Sequence, residues 1–202
     1  MVTQKHKLEH LIAEYEEYFM PGGIQQSYSE LKQLVEEIGE KKFMDLCEIG
    51  IADGATLWLY SHLFANQGAR FTVVDMDIRP ITRRVIAAIE EEMGIMFKII
   101  ESKTMGLKLE EGIFDFLHID GDHGYEEVRY DYYTHSQRVI TGGIIIIHDT
   151  LLMDGPNRLR QDIEFSGTIN KTFKGTDTLC DCFAPNRGNP QNRAFGTTVV
   201  WK

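Results

Sequence analysis

Disulfide cross-linking, membrane insertion and nucleic-acid binding are the first properties this sequence argues against. Its three cysteines, Cys47, Cys180 and Cys182, are an odd number, and Cys47 falls inside a strand-like run, so a reduced, cytoplasmic setting is expected. No second cysteine pair accompanies Cys180 and Cys182 to complete a thiolate zinc site. No apolar run approaches the roughly 18 to 20 residues of a membrane span, and the first residues lead into an acidic helical pattern rather than a signal-peptide core. Positive charge is also scarce. With 21 Lys and Arg against 31 Asp and Glu, the net charge of -10 argues against phosphate-backbone binding as the main activity. Nothing in the 202 residues reads as a repeat, a linker or a low-complexity tract. The chain is long enough to bury a core without disulfides or a structural metal.

What the chain does have is an alternation of helical and strand-like patterns. Residues 3–19 and 27–40 read as acidic amphipathic helices separated by the turn-forming Pro21-Gly22-Gly23. They are expected to form an N-terminal cap over residues 1–42, or a surface on which copies of the chain associate, with residues 43–202 as the main domain. Strands are predicted at 43–49, 70–74, 96–100, 113–119 and 143–147, and helices at 56–66, 80–93, 103–111 and 124–139, with Pro80 in a first turn as helix starts prefer. Five strand-helix repeats predict an α/β fold with a doubly wound, mostly parallel sheet. Residues 151–168 read as loop and helix. Lys171–Phe183 and Ala194–Trp201 read as two further strands, joined by a link too irregular for a helical crossover and therefore an antiparallel pair at the edge of a seven-stranded sheet.

The chemistry concentrates at the ends of these strands. Ile113-Phe114-Asp115-Phe116-Leu117-His118-Ile119 opens into Asp120-Gly121-Asp122-His123, and Gly143 followed by four isoleucines opens into His148-Asp149-Thr150. Nearly unbroken apolar runs suit strands buried on both faces, and ligands in such sheets sit at the strands' carboxyl ends. A helical crossover fits between the two clusters, which predicts adjacent strands and an acid-and-histidine pocket. The first strand ends in the turn Glu48-Ile49-Gly50-Ile51-Ala52-Asp53-Gly54, whose glycines allow a sharp bend and a close approach to a ligand. It lacks the third glycine of a dinucleotide fingerprint, and no Walker lysine follows. Asp75 closes the second strand, where a carboxylate would accept hydrogen bonds from a ribose diol. Ordinary turn chemistry accounts for either feature alone. His118, inside a strand, reads as a packed core histidine, and the tyrosines at 125, 130, 132 and 133 as packing and surface.

The turn Glu48-x-Gly50-x-x-x-Gly54, Asp75 and the order of the repeats resemble a class I S-adenosylmethionine-dependent methyltransferase over residues 43–202. The run from Phe114 to Tyr125, with Gly142-Gly143 and His148-Asp149-Thr150, is similar to the branch labelled methyltransferase 24 or cephalosporin-hydroxylase-like. That branch shares its layout with the caffeoyl-CoA, catechol and macrolide-sugar O-methyltransferases. The resemblance implies cofactor contacts at Glu48, Gly50, Asp53, Gly54, Asp75, Glu101, Ser102 and Asp120, and a divalent metal at Asp120, His148 and Asp149. His148 stands where those relatives usually carry Asp or Glu, so the metal is either magnesium or a transition ion better suited to imidazole. The other outcome is a metal-free acidic pocket in which His148 turns into the core or only hydrogen-bonds. His123, three residues after Asp120, holds the position of a general base, and Asp122 that of a helix cap or a support for a metal ligand. The expected activity is O-methylation of a small hydroxylated metabolite: a sugar, a phenol or a natural product. Two other classes stay open, an iron oxygenase built on His123, His148 and an aspartate, and a non-catalytic protein that binds the cofactor.

Overall fold

The computed structural model describes residues 4–20, 24, 26–109, 113–168, 170–175 and 195–202. Two helices, α1 (Gln4–Tyr18) and α2 (Tyr28–Ile38), precede β1 (Phe43–Ile49), α3 (Ala55–Phe64), β2 (Ala65–Asp75), α4 (Pro80–Met93), β3 (Met96–Glu101), β4 (Phe114–Ile119), α5 (Tyr125–His135), β5 (Val139–Ile147), α6 (Asp154–Phe165), β6 (Asn170–Phe173) and β7 (Thr197–Trp201). The seven strands form one sheet in the order β3-β2-β1-β4-β5-β7-β6. The first five are parallel; β7 runs antiparallel to β5, and β6 antiparallel to β7. This is the doubly wound, seven-stranded α/β sheet that the alternation predicts. The β4 and β5 runs are neighbours, as expected for strands joined by a helical crossover.

The isoleucine run shows why the sheet is covered on both faces. Ile144 and Ile146 pack into the cluster shared with α1 to α4, whereas Ile145 and Ile147 pack into the opposite cluster with Val128 and Tyr132 of α5 and Leu159 and Ile163 of α6. All four isoleucines are fully buried. Period-two alternation sends neighbours to opposite faces, so a strand sandwiched between helices carries no polar face. Helix α3 is buried all round, including Thr56, Ser61 and His62, because it packs against both the sheet and α1. Trp58 of α3 is fixed there by a 3.1 Å hydrogen bond from Nε1 to the Leu11 carbonyl and by an edge contact with Phe19. The N-terminal helices thus share a core with the sheet.

Some elements differ from the sequence reading. Among the described residues 103–109 there is no helix; the chain makes a turn closed by Leu107 N to Thr104 O, and Gly106 at φ +85 has a left-handed backbone that no right-handed helix continues through. Strand β2 begins at Ala65, directly after α3, rather than near residue 70, with a register irregularity against β1 between Phe43 and Asp45. The terminal pair is antiparallel as expected, but residues 176–183 and 194 of the predicted strands, with Cys180 and Cys182, lie outside the described residues. No helix among the described residues is long and apolar enough to cross a membrane.

Candidate functional site

The ends of β1, β4 and β5 are level. Gly50 N bonds Val74 O at 2.8 Å, Asp120 N bonds Ile49 O at 2.8 Å and His148 N bonds Ile119 O at 3.0 Å, so each strand hands its ladder to its neighbour at the point where it turns away. The sheet order reverses between β1 and β4, and such a switch point opens a crevice. The crevice is a cleft of about 400 Å3 including its mouth, walled by Gln26, Gly50 to Asp53, Ala55, Thr56 and Asp120. Gly50 makes this juxtaposition possible. Its φ of +80 suits glycine, and a Cβ placed on it would lie 2.1 Å from the Asp120 carbonyl oxygen.

Asp75 lies beside the cleft and supports the glycine turn. Its Oδ2 accepts Ile51 N at 2.8 Å and Ala52 N at 3.2 Å, and its Oδ1 accepts Asp77 N. Asp53 and Gly54 follow in the same turn; Asp53 pairs with Arg79 at 3.0 Å, and Gly54 caps α3. Glu48 does not line the cleft. Fully buried beneath it, Glu48 meets His118 at 2.8 Å, and a Tyr60 ring stands edge-on to the imidazole, so His118 is a core histidine with a carboxylate partner. Glu101 is exposed and paired with Arg83, while Ser102 N bonds the Asp75 carbonyl. Neither forms a wall of the cleft.

Next to the cleft the acids and histidines converge. Ligand atoms of Asp120, His123 and Asp149 all lie within 4.8 Å of one another, with His123 Nε2 3.0 Å from Asp149 Oδ2 and 3.9 Å from Asp120 Oδ1. The histidine in this set is His123, and His148, the ligand implied by the resemblance, also reaches both carboxylates, its Nδ1 lying 3.5 Å from Asp149 Oδ1. His148 lies behind, nearly sealed from solvent, with Nδ1 3.2 Å from Asp120 Oδ1 and its ring stacked on Phe195. Asp149 is held at φ +58, a left-handed conformation uncommon for a residue with a side chain and often found at functional sites. Its Oδ1 is buried without a hydrogen-bond partner among the described residues. Asp122 Oδ1 accepts Gly124 N, the helix-start role expected of it. The first turn of α6 supports His123 from below, where the Gly155 Cα packs so close to the 123–125 backbone that a Cβ would lie 2.2 Å from the His123 carbonyl oxygen.

The cluster is strongly coupled. Burial opposes ionisation of Asp120, but the His148 charge and contacts with His123 and His148 outweigh it and hold the carboxyl well below the usual range. The contacts with Asp120 and then Asp149 push His123 up to about 10. Burial by itself would lower His148; the charge and hydrogen bond of Asp120, with Asp149 and Glu30 further off, lift it instead to about 9. The two carboxylates therefore favour positive charge between them.

A sequence profile of the methyltransferase-domain family matches residues 47–150, from the middle of β1 to the end of the His148-Asp149-Thr150 turn. The chain belongs to this family. The matched stretch of the methyltransferase contains both strand-end clusters, the glycine turn and Asp75. Among solved structures, the methyltransferase chain is similar to an O-methyltransferase from Bacillus cereus in complex with SAH, at 14% identity and a TM-score of 0.59, covering 98% of this chain and 90% of that one. It is also similar to TomG from Streptomyces achromogenes, an O-methyltransferase involved in tomaymycin synthesis solved with SAM, at 12% identity and a TM-score of 0.57, covering 100% and 91%. At these identities the likeness is one of fold. No curated protein matches the chain significantly in sequence.

Gln26 and Glu30 are functional candidates that sequence reasoning missed. Gln26 Nε2 reaches Asp120 Oδ2 at 3.3 Å from the mouth of the cleft. Glu30 sits three residues after Ser27, a spacing that reads as a capping box, and Ser27 Oγ does accept Glu30 N. The Glu30 carboxylate, however, turns away from its own helix and crosses to the far end of the chain. Phe195, which covers His148, carried no signal in the sequence.

Proposed function

We propose that this methyltransferase transfers a methyl group from S-adenosylmethionine to a hydroxyl oxygen of a small metabolite, a sugar, phenol or natural product, with a divalent ion held by Asp120, His123 and Asp149. One observation carries the reading: Asp120 belongs to both the cleft and the convergent cluster. A donor lying along the glycine turn and an oxygen held at the cluster therefore meet at one side chain, and much of the rate would come from that alignment. S-adenosylmethionine would supply an electrophilic methyl group on a sulfonium, leaving as S-adenosylhomocysteine when the C–S bond breaks, while the hydroxyl proton passes to solvent. The ion supplies a Lewis acid that lowers the pKa of a bound hydroxyl.

This chain's own residues do the positioning. Gly50 to Asp53 form the floor of the cleft, and Asp75, one of whose oxygens already accepts two turn amides, keeps lone pairs for a ribose diol. His148 fixes one oxygen of Asp120 and Gln26 the other. The buried, unbonded Asp149 Oδ1 and the mixed oxygen and nitrogen donors suit a manganese-like or other transition ion better than magnesium. An iron oxygenase is not favoured, because the methyltransferase-domain match spans both strand-end clusters and the glycine turn.

A second reading keeps His123 as the base that takes the hydroxyl proton, favoured by its 38% exposed side chain beside a nearly sealed His148. The pH dependence of metal binding separates the two. A proton must leave His123 before Nε2 binds an ion, and its pKa lies at about 10. Mn2+ affinity measured by calorimetry should therefore rise about tenfold per pH unit from about pH 6 to about pH 9, and His123→Gln should abolish the slope. A pH-independent affinity, kept in His123→Gln, would leave His123 only the base.

The cofactor is tested at Asp75. Asp75→Ala removes a ribose acceptor and frees three backbone amides, so calorimetric affinity for S-adenosylmethionine should fall by roughly 1 to 3 kcal/mol, about 5- to 150-fold. Unchanged binding by a folded variant would remove Asp75 from the site.

A further inference from the structure

We infer that Glu30, outside the family-matched stretch, is a positioning residue that holds Asp149 in its working conformation through residues 195–197 at the entry to β7. The inference rests on the reading of Asp149 as part of the methyl-transfer site. Glu30 lies in the first turn of α2 and is 1% exposed. Its Oε1 accepts Gly175 N at 2.8 Å and Gly196 N at 3.0 Å, and its Oε2 accepts the Thr197 hydroxyl at 3.0 Å. A buried carboxylate is costly unless satisfied, and three donors aimed at one group make a clasp rather than an incidental contact.

The far side of the clasped segment faces the site. The Gly196 carbonyl accepts Thr150 N at 2.9 Å, and the Phe195 carbonyl accepts Leu151 N at 2.9 Å and Leu152 N at 3.1 Å. Thr198 Oγ1 donates to Thr150 Oγ1 at 2.9 Å, and the Phe195 ring lies 5.4 Å from that of His148. The turn that begins at Asp149 is therefore bonded along its length to 195–198, and 195–197 is bonded to Glu30. Asp149 needs such support, since a left-handed backbone at a non-glycine residue persists only where its surroundings over-determine it. The chain of contacts runs from α2 to the β7 entry, to residues 150–152, to Asp149. The cleft floor at Gly50 to Asp53 is not on it.

The test compares the full-length parent with Glu30→Ala and Glu30→Gln, the latter keeping an acceptor oxygen in place. Hydrogen exchange at the amides of Thr150, Leu151 and Leu152, Mn2+ affinity and S-adenosylhomocysteine affinity are measured on each. In Glu30→Ala, exchange at these amides should rise and Mn2+ affinity fall by about tenfold or more, while S-adenosylhomocysteine affinity stays within about threefold; Glu30→Gln should restore most of both. Parental exchange at 150–152 in Glu30→Ala, or loss of metal and cofactor binding by the same factor, overturns the inference. Should Glu30→Ala not fold, Thr197→Val removes one donor and must give the same pattern more weakly, parental behaviour there overturning the inference equally. If the parent itself takes up no Mn2+, the metal reading fails, and the exchange data alone decide whether Glu30 holds the Asp149 turn.

Discussion

Replacing Asp120 by alanine is expected to lower kcat/KM for methyl transfer by at least about 10^3-fold, on the order of 4 kcal/mol, while the protein stays folded. Asp120 is where the two halves of the site join: it walls the cleft, sits within ligand distance of His123 and Asp149, and takes contacts from His148 and Gln26. Its loss removes one anion from between two imidazoles. His123 and His148 are held at about 10 and about 9 chiefly by that carboxylate, so both should titrate closer to the ordinary histidine range in the variant. Steady-state kinetics on any hydroxylated acceptor that the parent methylates, with NMR titration of the histidines, measure the two effects separately. A variant retaining parental turnover would remove Asp120 from the chemistry whatever its histidines do.

Gly50→Ala should be among the most destabilising single-methyl additions in the protein. The added carbon would sit 2.1 Å from the Asp120 carbonyl oxygen, a backbone atom that cannot swing aside, and the residue must also hold φ at +80. A left-handed conformation at a residue with a side chain costs about 1 to 3 kcal/mol and overpacking a further 1 to 3, so about 2 to 6 kcal/mol is expected. For a domain of this size that is roughly 5 to 20 °C in Tm, followed by circular dichroism. Any surviving fold must push β1 and β4 apart at their ends, so S-adenosylmethionine binding should fall as well. A parental Tm would mean that the β1 turn relaxes freely, and the close packing of the two strand ends would not be what makes glycine necessary.

The fold was readable because its elements are written in local periodicities. Four consecutive isoleucines have no polar side to give to solvent, so a strand covered on both faces is their natural state, and the helical crossover from β4 suits the parallel pairing observed between them. Pro80 and the apolar spacing after it place α4 at Pro80–Met93. Residues 103–109 form no helix because a single residue's left-handed backbone, Gly106, is enough to interrupt so short a run. Gly50 was legible as the residue of a sharp turn, but not the carbonyl of Asp120, just past the neighbouring strand, that lies where its Cβ would be.

From the sequence alone came the α/β class, the parallel core with its antiparallel edge and the strand ends at which acids and histidines gather, because these depend on side-chain alternation and on where apolar runs stop. Which histidine faces which carboxylate was decided by the tertiary structure. His123 and His148 both lie beside aspartates in the sequence, yet β5 buries the one, and the loop before α5 brings the other to the mouth of the site. Glu30 shows the same limit over a longer span: its partners at Gly196 and Thr197 are 166 and 167 residues away, and no local pattern specifies which strand a carboxylate will meet once the sheet has closed. Secondary structure follows from sterics between near neighbours, whereas a site of converging charges depends on strand order and register, which only the folded sheet sets.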